Sequence, residues 1–125
     1  MRVLLDTNAV IRWMAGDQFP RGVERLLSKQ ETQCLISIVS GWEIVLKPKL
    51  GLTAGDVESA IREMGALLLP IKFKHLAGLS DLATLTDHRD PFDRMLIAQA
   101  LVEDVPIVTS DSRFNDYRGL SVLWD

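Results

Sequence analysis

A single cysteine, Cys34, occurs in the 125 residues, so no disulfide can form within the chain. That fits a reducing, cytoplasmic setting. It lies in the apolar stretch Cys34-Leu35-Ile36 and reads as core rather than as a nucleophile. Histidine is almost as scarce: His75 and His88 are the two present, and they lack metal-motif spacing. A helix surface and a loop are their expected places. No glycine-rich phosphate loop is evident, nor a Ser-His-Asp arrangement. No apolar run approaches the roughly 20 residues that span a bilayer. The chain begins at once with a strand-like run rather than a cleavable signal, so no membrane partner is expected. Repeats, low-complexity segments and linkers are absent too.

An excess of positive charge is also missing. The net charge is −3 and the isoelectric point about 5.3, which is not the footprint of a protein that coats nucleic acid nonspecifically. Basic residues do recur locally, at Lys47 and Lys49, Lys72 and Lys74, Arg89 and Arg94, and Arg113 and Arg118. A nucleic-acid substrate is therefore neither supported nor excluded by charge.

What remains is an alternation of short apolar runs and helical patterns. Strands are expected at Val3–Leu5, Gln33–Ser37, Leu67–Ile71, Pro106–Thr109 and Ser121–Trp124. Helices are expected from Asn8 to about Met14, from Pro20 to about Lys29, from Ser40 to near Lys47, from a Thr53 cap through Met64, over Lys74–Leu79, and from Asp90-Pro91 to about Glu103. Ser40 with Glu43 three residues later matches a capping box. Trp42, Ile44, Val45 and Leu46 make that helix largely apolar, so burial is expected for it. Strands alternating with helices imply a parallel sheet covered on both faces. With 47% hydrophobic residues, residues 1–125 fit one three-layer α/β/α domain with a central, mainly parallel five-stranded sheet.

The acids carry the chemistry. Asp6 ends the first strand, Asp111 follows the fourth, and in an open α/β sheet ligands bind outside the carboxyl ends of the strands. As N-cap of the next helix, Asp6 also has a purely structural use. Glu43 lies on an apolar helix and needs a partner or a metal; a surface pair with Lys47 is its plainer role. Asp93 shares a helix face with Ile97 and Ala100, which points it at the rim of the core. Asp90 reads as the N-cap ahead of Pro91, or as a residue supporting Asp93. Two carboxylates about 4 Å apart repel by about 4 kcal/mol at an effective dielectric of 20. A bound cation removes that cost. Hard oxygen donors favour Mg²⁺ or Mn²⁺ over Zn²⁺.

These motifs resemble a known family. Leu4-Leu5-Asp6-Thr7-Asn8, Ser37 through Ser40 to Trp42-Glu43 with Lys47, the block His88-Arg89-Asp90-Pro91-Phe92-Asp93-Arg94 leading into Ile97-Ala98-Gln99-Ala100, and Thr109-Ser110-Asp111 occur in the order found in PIN-domain proteins. The likeness is to the VapC-like ribonuclease toxins of type II toxin-antitoxin pairs and spans the whole chain. It implies an Mg²⁺-dependent endoribonuclease acting on structured RNA such as tRNA or ribosomal RNA. It also implies a homodimer silenced by a cognate antitoxin. By motif position Asp6, Glu43, Asp93 and Asp111 match the catalytic acids. Asp6, Asp93 and Asp111 would hold the metal, and Thr7, Asn8 and Ser110 would support them. Asp116 is a poorer alternative to Asp111. Lys47 and Arg94 are expected to contact the RNA backbone. Trp13, Phe19 and Leu50 are expected in the core, or in a groove for a partner helix.

Two other readings stay open from sequence. One is a phosphatase with Asp6 as nucleophile. Haloacid-dehalogenase-like enzymes, which use such an aspartate, normally carry a second one two residues later, where this chain has Asn8. The other is a binding module of the same fold without catalysis.

Overall fold

The computed structural model describes residues 1–125. Strands β1 (Arg2–Leu5), β2 (Gln33–Ser37), β3 (Leu67–Leu69), β4 (Ile107–Val108) and β5 (Val122–Leu123) form one sheet in the order β3-β2-β1-β4-β5. Every pairing is parallel. Helices α1 (Thr7–Met14), α2 (Arg21–Ser28), α3 (Ile38–Val45), α4 (Ala54–Met64), α5 (Phe73–Ser80) and α6 (Pro91–Glu103) connect them. The alternation expected from sequence is therefore realised, with β1 at the centre.

Side chains of a strand alternate between faces, and β1 divides its residues accordingly. Leu4 packs with Leu35, Leu96, Ile97, Ile107 and Phe114 on the face covered by α6. Val3 and Leu5 pack on the other face with Val10 of α1, Val23 of α2, Ile36 and Val57 of α4. Cys34 is buried in this second cluster. Two apolar layers against one sheet make the three-layer α/β/α architecture.

The chain leaves β1 for β2 on one side and reaches β4 on the other side only after α6. The order of strands thus reverses between β1 and β4, which is where an open α/β sheet forms a crevice at its carboxyl edge. Leu5 of β1 stands opposite Val108 of β4, so Asp6 and Thr109 leave the sheet side by side.

Local details differ from expectation at three places. The N-cap of α3 is Ser37, whose Oγ accepts from the Val39 amide at 3.0 Å. Ser40 instead lies inside the helix and is fully buried. The strand ends one turn earlier than a Ser40 cap requires, and Ser37 is the first hydroxyl available. Helix α3 is not wholly buried, because Trp42, Val45 and Leu46 are exposed. His75, expected on a helix surface, is fully buried. Its Nδ1 accepts from the Lys72 amide at 2.9 Å, while Nε2 lies 2.8 Å from Glu103. Of the apolar side chains named above, Phe19 is buried and Leu50 exposed.

Candidate active site

Each acid reaches the crevice by a different local route. Asp6 follows β1 and caps α1: its Oδ1 accepts from the Ala9 amide at 2.8 Å. Its Oδ2 accepts from the Thr109 hydroxyl on the neighbouring strand. Only 3% of Asp6 is exposed. Burial pushes its carboxyl up to about 6, against the two hydrogen bonds, and the nearby Asp93 and Asp111 push the same way. With both oxygens engaged at the base of the crevice, Asp6 is badly placed as a nucleophile.

Asp93 stands in the first turn of α6, where Asp90 caps the helix by accepting the Asp93 amide at 2.9 Å. Its Oδ2 accepts from His88 Nε2 at 3.0 Å. Burial raises its pKa; the hydrogen bond from His88 opposes this, and Asp90 and Glu43 add to the rise. Asp111 caps the 3₁₀ turn Ser112–Asp116, and the Arg113 guanidinium holds its carboxyl below the ordinary range. Glu43 projects from α3. Its Oε2 lies 3.4 Å from Lys47 Nζ, while Oε1 is buried and has no hydrogen-bond partner.

The residues around these acids divide into two groups. Thr7 is buried and its hydroxyl donates to Ser40 Oγ at 3.1 Å, tying α1 to α3. Asn8, Ser110, Asp90 and Asp116 are exposed. Arg94 has a task within the fold: Nη1 donates to the Ala83 carbonyl at 2.8 Å and to the Tyr117 hydroxyl at 3.1 Å. Its cation also lies 6.0 Å from the centre of the Tyr117 ring. Those contacts fasten the loop before His88.

Two participants are not named as site residues from sequence alone. His88 is fully buried against Phe114 and Tyr117, with ring centroids 5.2 and 5.5 Å away. A carboxylate only accepts hydrogen bonds, so Nε2 carries the hydrogen toward Asp93. The signal available was its position five residues before Asp93 on a polar loop, which does not show that the loop folds inward. Thr109 is the second. Besides donating to Asp6, its Oγ1 accepts from the Asp111 amide at 3.0 Å. Its signal was its place at the end of the strand that carries Asp111.

The ligating atoms of His88, Asp93 and Asp111 all lie within 4.8 Å of one another. Asp6 and Glu43 are outside that tight group, yet their charges are felt by its members. The raised carboxyls of Asp6 and Asp93 and the orphaned Glu43 oxygen are what a site for a divalent cation presents without its ion. The donor set is mainly hard oxygen with one imidazole nearby, which fits Mg²⁺ or Mn²⁺.

The PIN-domain profile matches residues 3–120. The chain belongs to the PIN-domain family.

No curated protein matches it by sequence. Solved structures do match over nearly the whole length. VapBC2 of Rickettsia felis, bound to a DNA fragment from its promoter, aligns with a TM-score of 0.72 at 17% identity, covering 100% of both chains. DNA-bound VapBC of Salmonella typhimurium aligns with a TM-score of 0.72 at 18% identity, covering 98% of this chain and 97% of that one. A toxin-antitoxin complex from Klebsiella pneumoniae gives 0.68 at 19% identity, with 97% and 95% covered. At such identities the likeness is one of fold.

Proposed function

We propose that this PIN domain is a metal-dependent endoribonuclease and the toxin of a toxin-antitoxin pair. The observation that carries the nuclease reading is the grouping of Asp93 and Asp111 with His88 within 4.8 Å, near enough to Asp6 for both acids to push its carboxyl up, beside a buried Glu43 oxygen without a partner. A divalent cation, Mg²⁺ with Mn²⁺ as a substitute, would lower the pKa of a bound water and stabilise charge on the phosphate. Asp93 and Asp111 would hold it directly, with Asp6 binding directly or through water.

The protein's own groups do the rest. Glu43 Oε1 orients the attacking water, since it is the one buried acid oxygen with nothing else to accept from. His88 keeps the Asp93 carboxylate turned into the crevice, and Thr109 does the same for Asp6. Thr7 steadies α1 against α3 through Ser40. Asn8 and Ser110, at the exposed rim, are within the part of the surface a substrate meets. Lys47 is free to pass from Glu43 to an RNA phosphate. Water as nucleophile leaves a 5′-phosphate and a 3′-hydroxyl.

The likeness of the fold to a toxin-antitoxin complex supports a protein antitoxin as partner, and a homodimer working in the cytoplasm belongs to the same proposal. No helix is long and apolar enough to cross a membrane. The test is cleavage of a total small-RNA pool by purified protein with Mg²⁺ or EDTA, beside Asp6→Asn. Discrete cuts that require both the metal and Asp6 are expected. Products ending in 2′,3′-cyclic phosphate would rule out the water mechanism, and equal cutting by Asp6→Asn would remove the site assignment.

A further inference from the structure

Asp111 is bound by its own chain more completely than any other acid in the crevice. Arg113, two residues on, donates from Nε to Oδ1 at 3.0 Å and from Nη2 to Oδ2 at 2.7 Å. The Arg113 backbone amide adds a further bond to Oδ1 at 3.0 Å. A carboxylate offers about four lone-pair sites, so a single position, on Oδ2, is left open. The remaining guanidinium nitrogen, Nη1, donates to the Asp87 carbonyl at 3.2 Å, on the loop that leads to His88.

This arrangement conflicts with metal binding. Asp111 lies within 4.8 Å of the ligating atoms of Asp93 and His88, so an ion seated there shares the Asp111 oxygens with the guanidinium. Two cations side by side on one carboxylate repel. The Arg113 side chain is 47% exposed, so solvent already reaches it and little packing resists its release. A guanidinium fork matches a phosphate as well as it matches a carboxylate. Once released, it stays tethered two residues from Asp111, at the mouth of the crevice.

We propose that Arg113 is an exchangeable cation of the site: it holds Asp111 in the metal-free protein, yields it to the metal, and turns its fork to a phosphate of the RNA. The proposal rests on the metal-nuclease reading. It gives Arg113 opposite effects on the two ligands, opposing the metal and favouring the RNA. A merely structural arginine does not have that signature.

The test uses the full chain carrying Glu43→Gln to prevent cleavage, with and without Arg113→Gln. Mn²⁺ binding is measured by calorimetry, and binding of a fluorescein-labelled mixed-sequence RNA hairpin by anisotropy across a salt series. Arg113→Gln is expected to tighten Mn²⁺ binding about two- to fivefold, the range of a partly exposed ion pair. In Mn²⁺ it should weaken RNA binding and lower the salt slope by about one contact. With EDTA the RNA effect should vanish. Arg89→Gln removes the same charge from an exposed site without an Asp111 contact, and should leave Mn²⁺ affinity unchanged. Mn²⁺ binding that is unaltered or weaker in Arg113→Gln overturns the exchange alone. Equal tightening in Arg89→Gln overturns it as well, by showing a general charge effect. Loss of Mn²⁺ binding in every form overturns the metal-site reading beneath it.

Discussion

The Thr109 hydroxyl donates to Asp6 Oδ2 across the junction of β1 and β4. Because Thr109 Oγ1 also accepts from the Asp111 amide, one side chain sets the positions of two acids. Its hydrogen bond also opposes the burial that raises the Asp6 carboxyl. Thr109→Val keeps the shape and removes the donor. At pH 7 it should destabilise the metal-free protein by about 1–3 kcal/mol, the cost of leaving a buried acceptor unpaired. Urea unfolding at pH 7 and at pH 4.5 measures this. The loss should be smaller at pH 4.5, where Asp6 is protonated.

Asp6 also makes a definite statement about pH. Its carboxyl is at about 6 in the fold, against 3.8 ordinarily. Between those values the folded chain keeps a proton that the unfolded chain has lost, so stability falls as pH rises. The full effect is about 3 kcal/mol, spread from just below pH 4 to just above pH 6. Urea midpoints in EDTA should decline across that window, and saturating Mn²⁺ should restore the loss. Asp6→Asn should flatten the profile and raise stability at pH 7. A midpoint that climbs with pH through this range would contradict the assignment.

Glu43 should separate stability from activity. Its Oε1 is buried without a partner while Oε2 pairs with a partly exposed Lys47, so Glu43→Gln loses one weak ion pair and gives the buried end an uncharged amide. The variant should be as stable as the parent in EDTA or slightly more so, a change within about 1 kcal/mol. RNA cleavage should fall at least a hundredfold, about 3 kcal/mol of barrier. Thermal melts and single-turnover cleavage report the two quantities independently.

On the proposed metal-site reading, His88 positions a metal ligand, Asp93. His88→Leu removes the hydrogen bond at 3.0 Å to Asp93 Oδ2 while filling much of the space. Mn²⁺ affinity should drop about 10- to 100-fold, the usual effect of losing a group that orients a metal ligand. His88→Gln, which keeps a donor, should recover part of it. Calorimetric titration of both variants, with circular dichroism to confirm folding, decides the matter.

Several local features were readable in the residues themselves. Gln33–Ser37 is a strand as expected, since its run Cys34-Leu35-Ile36 is apolar and short. Asp90-Pro91 opens α6, because aspartate caps and proline suits the first turn. Ser40 shows the limit. Its spacing to Glu43 satisfies the capping pattern, but where β2 stops decides which hydroxyl becomes the cap, and that depends on pairing with β1 and β3. His75 and His88 mark a second limit. Their hydrogen-bond partners, Glu103 and Asp93, lie 28 and 5 residues away, and His88 is buried against the more distant Phe114 and Tyr117.

By itself, the sequence determined the alternating elements and the three-layer class, because periodicity, capping and turn chemistry act over a few residues; the set of four acids came from the order of motifs that resembles PIN-domain proteins. Only the tertiary structure decided what those acids meet. The parallel register that sets Leu5 against Val108 brings Thr109 to Asp6, and the inward fold of the loop before α6 brings His88 to Asp93. Hydrogen bonds of this kind join residues as far as 103 positions apart, and short-range preferences carry no information about partners at that distance.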